Sequence, residues 1–246
     1  VWYDNTKVTY KPELSHRNPL YADSLKAFTT YLARLNVLLQ PEGQHVADTA
    51  VLYPINSLLA DHYFYTEKGP ANVDGWVDPS NDFYNNAIAK IDYVNMGEWL
   101  INGTGLDFTY LHPEALDERC IVSGNRLEMN NKVNRESYGI LIVPSCHLIS
   151  LSNLRKIKDF YDAGGIVLFT TRLPQKALEV NGDSEVRRII GEIFPAYEND
   201  AWDLIQNKNG GKAGFLPEPD ALGMSEMLFW LNYDFDVSHT LEPDLQ

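Results

Sequence analysis

Tyr138-Gly139-Ile140-Leu141-Ile142-Val143-Pro144 is the run that decides the fold. It is apolar without alternation, and the closing proline cannot extend a sheet ladder, so it reads as a strand buried on both faces. Downstream, Ser150 or Ser152 can cap a helix whose apolar residues Leu154, Ile157, Phe160 and Tyr161 lie three and four apart. That helix stops at Ala163-Gly164-Gly165, and Ile166-Val167-Leu168-Phe169 follows as the next buried strand. Buried strands joined by amphipathic helices imply a parallel sheet covered on both sides, since only that arrangement hides both faces. The expected fold class is therefore α/β, a three-layer, doubly wound, mostly parallel sheet.

Working outward, Leu25, Phe28, Leu32, Leu35 and Leu39 recur at helical spacing across residues 21–40 and predict a helix. Pro41 and Gly43 end it, and a strand is expected from Val46 to Tyr53, stopped by Pro54, with Asp48 inside it as a hydrogen-bonded structural acid. Residues 66–82 are rich in Gly, Pro, Asn and Asp and read as a long loop. Helical spacing resumes at Ile88, Ile91, Val94 or Tyr93, and Leu100, closing at Asn102-Gly103 with glycine as the left-handed cap. Phe108 to Leu111 reads as a strand. Cys120-Ile121-Val122 and Leu127-Glu128-Met129 flank Ser123-Gly124-Asn125-Arg126 as a hairpin. A helix from Ser184 carries Val186, Ile189, Ile190 and Ile193, and another is expected over Met224 to Leu231. Residues 1–18 read as an extended tail, 19–232 as the α/β domain, and the acidic segment 233–246 as a linker.

Composition narrows the functional classes. The chain has 246 residues, 44% hydrophobic and 22% charged, which suits a globule with a full core and not a disordered chain. Its 20 Lys+Arg against 34 Asp+Glu leave −14 at pH 7, a field that repels phosphate backbones and anionic lipid. Nucleic acid and membrane-surface partners are thus disfavoured, and the lack of an 18-residue apolar run argues against membrane insertion. Val1-Trp2-Tyr3-Asp4 is neither an initiator methionine nor a secretory leader, so the chain reads as part of something longer.

Each chemical motif has a plainer explanation beside it. Cys146 follows a buried strand and adjoins His147, where an α/β fold places a nucleophile. The run Val143-Pro144-Ser145-Cys146-His147-Leu148 nevertheless lacks the glycines of a strained nucleophile elbow. Asp78, Ser80 and Asp82 alternate like a calcium loop, but Phe83 stands where the sharp turn needs glycine and Ala89 where a bidentate glutamate belongs. Gly103-Thr104-Gly105 follows a helix rather than a strand, the reverse of a dinucleotide loop. Asn209-Gly210-Gly211-Lys212-Ala213-Gly214 lacks the hydroxyl residue after lysine that a phosphate loop uses, and reads as a flexible loop. No cofactor or metal is called for. His16, Arg17 and Asn18, with Trp2, Tyr3 and Tyr10, are the residue types that bond and stack on sugars.

Three runs carry a resemblance: His16-Arg17-Asn18-Pro19, Tyr31 to Gln40, and Gly43-Gln44-His45-Val46-Ala47-Asp48 through Tyr53-Pro54. Together they resemble a segment of bacterial glycoside hydrolases of the α-L-rhamnosidase-like family 106. Tyr138 to Pro144 with Leu151-Ser152-Asn153-Leu154-Arg155-Lys156-Ile157 and Ala163-Gly164-Gly165-Ile166-Val167 resembles the same domain, which recurs in β-galactosidases. The resemblance implies a flavodoxin-like domain related to class I glutamine amidotransferases, lying downstream of a catalytic (β/α)8 barrel. It also implies other domains of one polypeptide, barrel and β-sandwich, as partners, with a carbohydrate substrate for the parent enzyme in a periplasmic or extracellular setting. On that reading no residue here is catalytic, and His16, Arg17 and Asn18 lie nearest the substrate. The rival readings are a hydrolase or amidotransferase-like enzyme using Cys146, and a carbohydrate-binding module built on Trp76, Trp99 or Trp202.

Overall fold

The computed structural model describes residues 21–39, 45, 47–61, 65–66, 69–70, 92–130, 135–195 and 203–231. The chain divides into two compact units, 1–45 and 46–246. Within the first, α1 (Ala22–Leu39) forms where the three-and-four spacing predicts it, and Phe28 and Leu32 of its apolar stripe stand exposed.

The second unit is built on strands β1 (Thr49–Leu52), β4 (Phe108–Leu111), β8 (Ile140–Val143), β10 (Ile166–Thr170), β12 (Asp203–Gln206) and β13 (Lys212–Leu216). Between these in sequence lie short ladders: β2 (Tyr65–Thr66) with β3 (Gly69–Pro70), the meander β5 (Cys120–Ser123), β6 (Arg126–Asn130) and β7 (Arg135–Tyr138), and β9 (Leu148–Ile149) with β11 (Lys176–Ala177). The main sheet runs β12-β13-β10-β8-β1-β4, parallel throughout except for β12 at its edge.

Side-chain alternation sorts the sheet into two faces. Ala50, Leu52, Leu141, Val143, Val167, Phe169, Ala213 and Phe215 point to one core. Onto it pack α4 (Pro113–Arg119), α5 (Leu151–Asp162) and α6 (Asp183–Ile193), through residues such as Leu116, Leu154, Phe160, Val186 and Ile193. Val51, Ile140, Ile142, Leu168 and Leu216 point to the other core. That side is covered by α3 (Tyr93–Glu98), the π-helical turn 99–104 that continues it, and α7 (Ala221–Trp230). The short α2 (Ile55–Asp61) follows β1.

Local chemistry explains most boundaries. Ser150 caps α5 by accepting from the Asn153 N–H, as its position before the apolar spacing predicts. Four expectations are corrected. The run 138–143 is not one strand: Tyr138 belongs to the meander and Ile140 begins the main sheet. The break falls at Gly139, where a β-carbon would lie 2.5 Å from the Asp48 carboxylate. Asp48 precedes β1 rather than lying inside it, and pairs with Arg126. The left-handed cap after α3 is Gly105 (φ 71°), because the π turn carries the helix past Gly103. Gly103 instead lets α7 approach, since a β-carbon there would sit 2.6 Å from the Ala221 carbonyl oxygen. Finally, Lys212 to Leu216 is a buried strand of the main sheet, not a flexible loop.

Candidate functional site

In open α/β sheets, ligands bind outside the carboxyl ends of the strands, beside the point where strand order reverses. Here that point is β1, flanked by β4 on one side and β8 on the other. The residues gathered there are Ser57 at the start of α2, Pro144 to His147 after β8, Thr170 to Arg172 ending β10, and Asp92 at the N-cap of α3.

Asp92 organises this edge. Its carboxylate accepts the Ser145 backbone N–H at 2.8 Å, the Thr171 hydroxyl at 2.7 Å and the Thr170 hydroxyl. Burial pushes its pKa above the ordinary 3.8, against these hydrogen bonds, which pull it down. Thr171 takes a φ of 59°, rare for a β-branched residue, while the Arg172 N–H donates to the Thr170 carbonyl at 2.6 Å. The acid therefore bridges the strand ends of β8 and β10 across a strained turn.

The geometry around Cys146 is closed. The side chain is 3% exposed, its Sγ donates to the Leu148 carbonyl at 3.4 Å, and the Ser57 Oγ lies 3.7 Å away. The Ser57 hydroxyl bridges the Leu148 backbone, donating to its carbonyl and accepting from its N–H at 3.0 Å each. Burial pushes the Cys146 thiol up to about 12, with the Asp92 charge adding to the rise and the Ser57 contact opposing it. A thiol held there stays protonated at neutral pH, and the thiolate is the nucleophilic form. Cys120, also buried, is pushed up to about 11 by the same cause.

Of the other sequence candidates, His16, Arg17 and Asn18 lie outside the described residues, as do Trp2, Tyr3, Tyr10, Trp76, Trp202 and the Asp78-Ser80-Asp82 run. Trp99 is half-buried and packs against the core beneath α3 and α7. Asp48 sits at the opposite, amino-terminal edge of the sheet. Among the described residues, no group of three His, Cys, Asp or Glu side chains could hold a metal ion, and no helix is long and apolar enough to cross a membrane. A groove of about 390 Å³ is lined by Leu173 and Pro174, which follow the β10 end, and by Arg187, Ile190, Phe194 and Pro195.

Sequence reasoning missed Asp92. Its partners are 53, 78 and 79 residues away, so no local spacing signals it; the available hint was a pair of threonines closing an otherwise apolar strand.

No protein-family profile matches the chain, and no curated protein matches it by sequence. Solved structures do. A rhamnosidase from Novosphingobium sp. PP1Y matches 88% of this chain at 19% identity and a TM-score of 0.47, using 16% of its own length. A β-galactosidase from Bacillus circulans sp. alkalophilus matches 94% at 12% identity and a TM-score of 0.49, using 36% of its length. A family 42 β-galactosidase from G. stearothermophilus, in a catalytic-mutant form, matches 89% at 11% identity and a TM-score of 0.51, using 34% of its length. The chain thus spans about a third or less of these structures, and at such identity it is the fold that is shared: a mixed α/β fold that occurs as one part of a much longer β-galactosidase chain.

Proposed function

We propose that this chain is a non-catalytic α/β domain of a glycoside hydrolase, of the α-L-rhamnosidase-like kind, serving as a rigid block against which other domains of the same polypeptide pack. The observation that carries this reading is the closed carboxyl edge. Where the fold would house chemistry, Asp92 is committed to Ser145, Thr170 and Thr171, Ser57 to Leu148, and the Cys146 thiol is enclosed and protonated.

Three further points support it. The five parallel strands run β4-β1-β8-β10-β13, the second, first, third, fourth and fifth in chain order, which is the flavodoxin-like order. The resemblance to class I glutamine amidotransferases accounts for a cysteine after β8, and the missing elbow glycines account for lost glutaminase chemistry. The fold's occurrence inside a longer β-galactosidase fits a role as one domain among several. The tail bearing His16, Arg17 and Asn18 is where we place the approach to the parent's substrate.

The reading is tested by assaying the 246-residue chain on aryl α-L-rhamnosides, aryl β-galactosides and glutamine. No turnover is expected. Native Cys146 should resist a thiol reagent at pH 8 and become reactive only on unfolding. Turnover that Cys146→Ser abolishes would overturn the reading in favour of a cysteine-dependent enzyme.

A further inference from the structure

The layer made by α3, the π turn and α7 carries on its outer surface the two most exposed aromatic rings among the described residues of the second unit. α7 carries a single charge in ten residues, Glu226, and is apolar nearly all round. Met224, Met227 and Leu228 face the sheet, while Leu222 (67% exposed), Phe229 (74%) and Trp230 (58%) face outward. Leu222, Glu226, Phe229 and Trp230 are spaced i, i+4, i+7 and i+8, so they form one stripe. The rings of Phe229 and Trp230 meet edge to face at 5.7 Å. On the adjoining π turn, brought close by the bare Gly103, Ile101 is exposed as well. A helix apolar on every side belongs in an interior, and large aromatic side chains grouped at a surface mark an interface.

The charges of this layer say what covers it. Residues 93–107 and 217–231 contain no lysine or arginine, yet carry Glu98, Asp107, Glu218, Asp220 and Glu226. Lys212, the cation at the far end of α7, is occupied in donating to the Leu231 carbonyl at 2.6 Å. An apolar stripe on a layer whose own described residues carry acidic side chains and no basic one is complementary to an apolar socket bordered by Lys and Arg. It is ill matched to a second copy, which would set carboxylates against carboxylates across a two-fold axis, and to anionic lipid, which draws basic helices.

We infer that the Leu222/Phe229/Trp230 stripe is the surface by which this domain docks onto another domain of its own polypeptide, one presenting an apolar socket with a cationic rim. The inference rests on the multidomain reading above and adds which face makes the contact.

Hydroxyl-radical footprinting tests it, comparing the 246-residue chain with the full product of its reading frame. Oxidation of Leu222, Phe229 and Trp230 should fall several-fold in the longer polypeptide, while exposed Ile121 on the meander stays as reactive as before. Glu226→Lys in the longer polypeptide should restore much of the lost reactivity, as should raising the salt. Equal reactivity of the aromatic pair in both forms would overturn the proposal. So would sedimentation of the 246-residue chain as a dimer that Phe229→Ser dissociates, or protection of Trp230 by phosphatidylglycerol vesicles. Protection unchanged by Glu226→Lys would overturn the cationic rim. Hydrolysis of aryl glycosides by the longer polypeptide is read separately: its turnover without protection removes this surface and leaves the functional proposal standing, and protection without its turnover does the reverse.

Discussion

The two helical layers flanking the sheet solve the same packing problem with different outer faces. On the α5/α6 side, branched and aromatic residues fill the core and the outward positions are charged: Arg188 lies between Glu185 and Glu192, Arg155 reaches Glu185, and Lys158 pairs with Asp162. On the α3/α7 side, three of the chain's four methionines, Met96, Met224 and Met227, line the interior, and Val94, Ile101, Leu222, Phe229 and Trp230 stand exposed on the outer face beside Glu98 and Glu226. One layer is finished for water. The other is finished for contact, because exposed Phe and Trp gain nothing from solvent, and flexible methionines beneath them can yield to what presses from outside.

The largest expected effects test the interiors. Phe169, fully buried and in edge-to-face contact with Phe194 at 5.8 Å, is held by rigid neighbours. Phe169→Ala should cost about 4 kcal/mol, near the middle of the range for such cavities. Met227→Ala on the opposite side should cost about 2 kcal/mol, since neighbouring methionines can partly close the space. Urea denaturation of both variants checks this. Equal losses would break the distinction between a rigid and an adaptable layer.

The next effect concerns Asp92, which ties the α3 side to the ends of β8 and β10. Asp92→Ala leaves a backbone N–H and two hydroxyls without their acceptor and should cost about 2 kcal/mol. Asp92→Asn keeps an acceptor and should stay within about 1 kcal/mol of the parent at neutral pH. The pH dependence has a definite sign. Because the native carboxyl titrates above 3.8, the folded state binds more protons than the unfolded one between the two values. Asp92's contribution is therefore complete below the unfolded value and is lost as pH rises through the native one. The Asn variant should lack that decline, which thermal unfolding at a series of pH values from acid to neutral would show. An identical slope in both proteins would place the titration elsewhere.

How far these features could be read in advance depended on whether their causes were local. The β8–α5–β10 unit was legible because continuous apolar strands, the Ser150 cap and the Gly164-Gly165 stop each act over a few residues. β13 was not, since the glycines in it and just before it resemble loop composition until their neighbours are known. A β-carbon on Gly211 would fall 1.8 Å from the Tyr161 carbonyl oxygen, and one on Gly214 would fall 2.7 Å from the Met227 sulfur. Those glycines are demanded by close packing, not by flexibility. Cys146 was identified from its place after a strand, but whether its thiol is open or enclosed depends on Ser57, 89 residues earlier. The outward stripe of α7 was hidden for a related reason: an apolar helix in sequence does not declare which of its sides meets the sheet.

The smallest expected effect bears most directly on the contrast between the layers. Phe229→Ser and Trp230→Ser remove apolar surface that already faces water in the 246-residue chain, so each should change its unfolding free energy by no more than about 0.5 kcal/mol. Arg188→Ala on the opposite layer removes solvent-exposed ion pairs, and its effect should shrink further as salt rises. The two outer faces should thus look alike in stability and differ in solubility. The serine variants should stay dissolved at ammonium sulfate concentrations that salt out the monomeric parent chain, whereas Arg188→Ala should not improve on the parent. A marked loss of stability in Phe229→Ser would mean that the ring supports α7 from within this unit, and the stripe would then belong to the fold and not to a neighbour.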